Sequence, residues 1–86
     1  MPLISEFFGI SIFMYWNEPV PPHFHASYSG FEVLVDIENA VVLKGAFPAR
    51  QLKLVLAWCE MHETELMANW SRAKELQEML QIDPLR

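Results

Sequence analysis

Two histidines stand two positions apart in the segment Pro21-Pro22-His23-Phe24-His25. Side chains alternate along an extended chain, so His23 and His25 point the same way while Phe24 points to the core. Imidazole changes charge near neutral pH and is the commonest transition-metal ligand, so this spacing suits a metal ion or a paired acid and base. The prolines hold the approach to the strand with little ordering entropy left to lose. As metal candidates, His23 and His25 are an incomplete set, because a catalytic zinc site takes about three protein ligands and a structural one about four. The plainer alternative places one histidine at the sheet edge, hydrogen-bonded to backbone, and the other on a solvated face.

A second constellation is Trp58, His62, Glu65 and Asn69, whose three- and four-residue spacings form a single stripe on a helix bordering the apolar seam. A carboxylate one turn beyond a histidine can fix its tautomer for general acid or base work, which makes His62 and Glu65, with His23 and His25, candidates for catalysis. The same stripe also reads as a partner-binding flank of Trp58, His62, Glu65 and Asn69, since tryptophan beside an apolar seam is typical of interaction surfaces. Glu32 and Asp36 share one side of a strand and read as a solvated face that discourages edge aggregation. Cys59 falls at the centre of the seam and reads as core rather than as a reactive thiol. The serines lie in no nucleophile-elbow context, and no phosphate loop, dinucleotide fingerprint or basic stripe is present, so no cofactor is expected.

The elements that must position these groups divide at Pro48. Residues Ile4 to Trp16 are rich in β-branched and aromatic types and read as one strand, bent or bulged at Gly9. The stretch Asn17 to Pro22 holds three prolines and must be a stiff loop. His23 to Tyr28 and Phe31 to Ile37 form a hairpin around Ser29-Gly30, and Val41 to Phe47 is a further strand after the turn at Glu38-Asn39-Ala40. From Pro48 onward, Leu52, Val55, Leu56, Cys59, Leu66, Met67, Trp70 and Ala73 follow a helical repeat. The expected fold is therefore α+β: a four-stranded antiparallel meander (residues about 3–47) packed on one face by a long C-terminal helix or two nearly collinear ones (about 49–80). The core would join Leu52, Val55, Leu56, Cys59, Leu66 and Trp70 to Ile12, Met14, Val33, Val35 and Phe47. The tail from Ile82 to Arg86 is expected to be mobile.

A chain of 86 residues has room for a single domain, 1–86. Six Phe, three Trp, two Tyr and five Met are more than a monomeric core of this size readily hides, which points to a homo-oligomer or a dedicated partner. A net charge of −5 with no block of like charge argues against bulk nucleic-acid binding. A lone cysteine fits a reducing compartment, the cytoplasm, and the absence of a long apolar run or basic leader predicts neither a membrane span nor a signal peptide.

The opening SEFFGISIFMYW, the segment PPHFHASYSGFEVLVDI and the helix LKLVLAWCEMHETELMANW together resemble a family of small bacterial and archaeal proteins, number 4160 in the domain-of-unknown-function series. The resemblance runs from about Pro2 to about Lys74 and is carried by the PPHFHA segment together with Trp58, His62, Glu65, Leu66, Asn69 and Trp70. It implies a second small protein encoded alongside, in an arrangement similar to toxin and antitoxin modules. Relatives commonly carry an acidic residue, His and Asn just before PPHFH, whereas this chain has Glu18-Pro19-Val20, so a loop histidine of the relatives is replaced at Pro19. The leading expectation is an interaction component of such a two-gene module. Two alternatives stand beside it. One is a small hydrolase or ribonuclease-type toxin using His23 or His25 with His62 and Glu65; the other is a metal-binding module on His23 and His25.

Overall fold

The computed structural model describes residues 2–86. Five strands, β1 (Leu3–Phe7), β2 (Ile10–Phe13), β3 (His23–Tyr28), β4 (Phe31–Asp36) and β5 (Val41–Ala46), form one antiparallel sheet in the order β1-β2-β3-β4-β5. The expected four-stranded meander is thus five-stranded. The long first strand is cut in two at Phe8-Gly9, where both residues take positive φ (49° and 78°), the conformation of a tight hairpin turn. Ser29-Gly30 turns the β3–β4 hairpin the same way, with φ of 47° and 87°. At the β4–β5 ladder the register shifts, and Gly45 at φ 95° lies so close to β4 that a Cβ there would collide with the Glu32 carbonyl oxygen. Only glycine fits that approach.

Two helices follow, α1 (Ala49–Met61) and α2 (Glu63–Lys74). Pro48 precedes the first at φ −58°, a value that the pyrrolidine ring fixes. His62 separates them: its φ of −122° leaves the helical well, its N–H is shared between the Trp58 and Cys59 carbonyls, and its own carbonyl accepts the Leu66 N–H that starts α2. The second helix stops at Lys74, short of the expected 80. Leu76 turns left-handed (φ 57°), Gln77 N–H reaches back to the Arg72 carbonyl at 2.8 Å and Leu76 N–H to that of Ala73 at 3.2 Å. These are the two bonds of a Schellman stop, with leucine where glycine is usual.

Both helices lie over one face of the sheet. Ile10, Ile12, Phe24, Ala26, Val33 and Val35 alternate onto that face and are buried with Val55, Trp58, Cys59, Leu66, Trp70 and Ala73. Leu52, Leu56 and Phe47 are only partly covered. The tail, expected to be mobile, is instead a strap. Met79 and Ile82 are buried, Ile82 N–H donates to the Ile4 carbonyl (2.9 Å), and the Asn69 amide both accepts from Leu80 N–H and donates to its carbonyl, each at 2.8 Å. No helix among the described residues is long and apolar enough to cross a membrane.

The left-handed leucine at the end of α2 gives a direct test. Leu76 is 70% exposed, so Leu76→Gly loses little burial and relieves backbone strain. It should raise the free energy of unfolding in urea by about 1 kcal/mol. A lower urea midpoint would contradict this account of the helix stop.

Candidate functional site

The loop between β2 and β3 carries Pro19, Pro21 and Pro22, which fix its path and return it toward the start of β3. That path brings Glu18 onto both histidines. Glu18 Oε1 lies 2.9 Å from His25 Nε2 and 3.2 Å from His23 Nε2, and the three residues place one donor atom each within 4.8 Å of one another. His23 and His25 share a direction, with ring centroids 5.5 Å apart, and Phe24 between them is fully buried, as strand alternation requires. His23 is nearly enclosed and packs against the Trp70 ring, whereas His25 and Glu18 keep part of their surface open. Glu18 is the member that reading the sequence missed. Its signal was an acidic side chain five residues before His23, in a loop too stiff to carry it away.

The other polar contacts assign protons. His23 Nδ1 lies 2.8 Å from the Pro21 carbonyl oxygen, which can only accept, so Nδ1 carries a hydrogen. Nε2 of the same ring faces the Glu18 carboxylate, and that contact closes only with a proton or a cation between the two. His25 stands edge-on to Tyr15 at 4.6 Å and helps to line an open pocket of about 140 Å³ with Phe13, Tyr15, Ser27 and Glu32. Burial pushes the Tyr15 hydroxyl above its usual range, and the Glu32 and Glu18 carboxylates push it the same way. The pocket wall is thus an acidic environment.

Asp36 pairs with His23 across the ladder, but its carboxylate is already engaged. It accepts from Asn39 Nδ2 at 3.0 Å and from the backbone N–H groups of Glu38 (2.9 Å) and Asn39 (3.3 Å), closing the β4–β5 turn. The Asn39 side chain, aided by those two N–H groups and by His23, holds the Asp36 carboxyl below its ordinary range against the opposing effect of burial. The expectation of a solvated Asp36 is therefore corrected: it is a buried turn cap.

The helix stripe is split by burial. His62 Nδ1 meets Glu65 Oε1 at 2.6 Å, the pairing its spacing predicts. Trp58 is fully buried, and its indole N–H donates to the Asp83 carbonyl at 2.8 Å; Asn69 is buried and holds the strap. Neither is available to a partner, because the strap covers the flank that the helical wheel left at the margin. His62 packs against Trp58, tilted at 44°, over the helix-covered face, while His25 packs against Tyr15 on the opposite face. The arrangement in which His25 joins His62 and Glu65 is not formed, since the sheet lies between them.

Exposed apolar side chains concentrate elsewhere. Val41, Val42 and Leu43 are 48%, 37% and 43% exposed on β5, an outer strand whose residues are exposed throughout. The opposite outer strand is different: the strap donates from Gln81 Nε2 to the Leu3 carbonyl and from Ile82 N–H to that of Ile4. Among the described residues, no hydrogen bond reaches the outer edge of β5.

Cys59 is buried as expected, its thiol directed at the Ile37 and Asp36 carbonyls. Burial pushes it up to about 12, with Glu63, Glu60 and Asp36 adding to the rise. Between about pH 9 and 12 the unfolded thiol gives up its proton while the folded one keeps it, so the unfolded state binds fewer protons and stability falls as pH rises. The loss should approach about 1.4 kcal/mol per pH unit in that window and be absent below it. Urea titrations from pH 8 to 11 should show this added slope in the wild type and not in Cys59→Ala; equal slopes would contradict the burial of the thiol.

A sequence model of the family described as Domain of unknown function (DUF4160) matches residues 9–71. That span includes the loop, both sheet histidines, all of α1 and most of α2. No curated protein and no solved structure matches the chain.

Proposed function

The chain belongs to domain-of-unknown-function family 4160, and from that premise we propose that it is a cytoplasmic protein-interaction component of a two-gene, toxin–antitoxin-like module. The observation that carries this reading is the inequality of the two sheet edges. The strap occupies β1, whereas β5 offers unpaired backbone groups flanked by exposed Val41, Val42 and Leu43. Natural sheets blunt such edges with charge, proline or a covering element, and a strand of another chain can complete an edge that remains. Lys44 is the one charged side chain on β5. The partner is the small protein encoded alongside, or a second copy of this chain, joined by extension of the sheet.

The test is sedimentation velocity at micromolar concentration, with this chain alone and with the product of the neighbouring gene. Wild type should associate in one of the two mixtures. Val42→Lys, which places charge on the open edge, should weaken that association at least tenfold while its circular dichroism is unchanged. Wild type that stays monomeric in both mixtures would overturn the proposal.

A further inference from the structure

We propose that Glu18, His23 and His25 bind one divalent first-row transition-metal ion, with coordination positions left open beside the pocket lined by Tyr15 and Glu32. The donor set is two imidazoles and one carboxylate, a combination used for zinc with a bound water and for open-sided iron(II) sites. Metal–ligand bonds of about 2.0 to 2.2 Å put neighbouring ligand atoms about 2.8 to 3.6 Å apart at octahedral or tetrahedral angles. Glu18 Oε1 already stands 2.9 Å and 3.2 Å from the two Nε2 atoms. The three donor atoms lie within 4.8 Å of one another, so side-chain adjustment without movement of the strand would admit an ion.

The surroundings favour a cation over an ordinary ion pair. The bond from His23 Nδ1–H to the Pro21 carbonyl fixes the ring and leaves the Nε2 lone pair toward the cluster, the arrangement in which a metal-ligating histidine is normally held. No lysine or arginine bridges Glu18 among the described residues; its ion-pair partners are the two histidines. Asp36, across the ladder from His23, adds negative potential but is held by Glu38 and Asn39 and is not a ligand. On the pocket side the facing titratable groups are Tyr15 and Glu32, neither of them cationic near neutral pH. Because Pro19, Pro21 and Pro22 fix the loop between Glu18 and His23, the site is assembled before any ion arrives and little ordering remains to oppose binding. This inference is independent of the sheet-edge reading, since the cluster and β5 share no residue.

Protein made without a histidine tag and stripped with chelator should be titrated with Co²⁺, Zn²⁺ and Fe²⁺ separately, the iron under nitrogen. The expected result is one equivalent bound, with Co²⁺ giving visible absorption bands that Zn²⁺ abolishes by competition. Glu18→Gln and His25→Gln, both at partly open positions and checked by circular dichroism, should each bind at least tenfold more weakly. His62→Gln, which removes the separate pair on the helices, should bind as wild type does. Failure of all three ions to bind at 1:1 stoichiometry, or binding that survives both Glu18→Gln and His25→Gln, would overturn the assignment.

Discussion

The rest of the structure hangs on the burial of Trp58. Its ring, fully enclosed, lies 5.4 Å from Phe7 of β1, 5.7 Å from Phe24 of β3 and 5.4 Å from His62 at the helix junction, and its indole N–H closes onto the Asp83 carbonyl. One side chain thereby joins the first strand, the central strand, both helices and the C-terminal strap. A buried indole without a partner for its N–H is costly, so the ring can fill the core only if the strap comes back to accept that hydrogen. The strap's path follows: Asn69 grips Leu80, and Ile82 reaches the first strand. With the helices held on one face, the other face of the sheet is left open at His25, while His23, at the start of the central strand, meets α2 through Trp70.

That division explains why the histidines of this small chain act separately. His62 and Glu65 belong to the helix junction, where the His62 ring packs against the tryptophan that organises the core. His23 and His25 begin β3 beside the stiff loop, His23 packed against Trp70 of α2 and His25 against Tyr15 on the face that the helices do not cover. Alternation along β3 puts Phe24 inward and His25 outward by the same geometry, so packing on one side presents chemistry on the other. The strap has a second consequence: by occupying the first strand it leaves the β5 edge open, so the proposed edge recognition and the proposed metal cluster involve different parts of the surface.

Much of this was legible because it follows local rules. The Ser29-Gly30 hairpin, the proline loop, the start of α1 after Pro48, the core position of Cys59 and the shared direction of His23 and His25 need only turn chemistry and periodicity. What was missed needed long-range information. Phe8 and Leu76 take left-handed backbone although neither side chain favours it, so Gly9 read as a bend rather than a hairpin, and the early end of α2 carried no composition signal. Trp58 and Asn69 looked like a flank because a helical wheel does not show a strap that covers them from twenty-five and eleven residues away. Glu18 was passed over as a loop residue, yet it is the group that converts two histidines into a cluster of three. No pattern in the strands predicts an acceptor delivered by the neighbouring loop.

The most direct test of the central claim, that His23 is held by the Pro21 carbonyl with its other nitrogen turned to Glu18, is the side-chain nitrogen-15 NMR spectrum of the histidines with and without one equivalent of zinc. The account predicts that the His23 Nδ1 keeps its hydrogen in both spectra. Zinc should move the Nε2 resonances of His23 and His25 while both His62 nitrogens stay in place. A His23 ring protonated on Nε2 alone in the zinc spectrum, or a zinc response confined to His62, would contradict it.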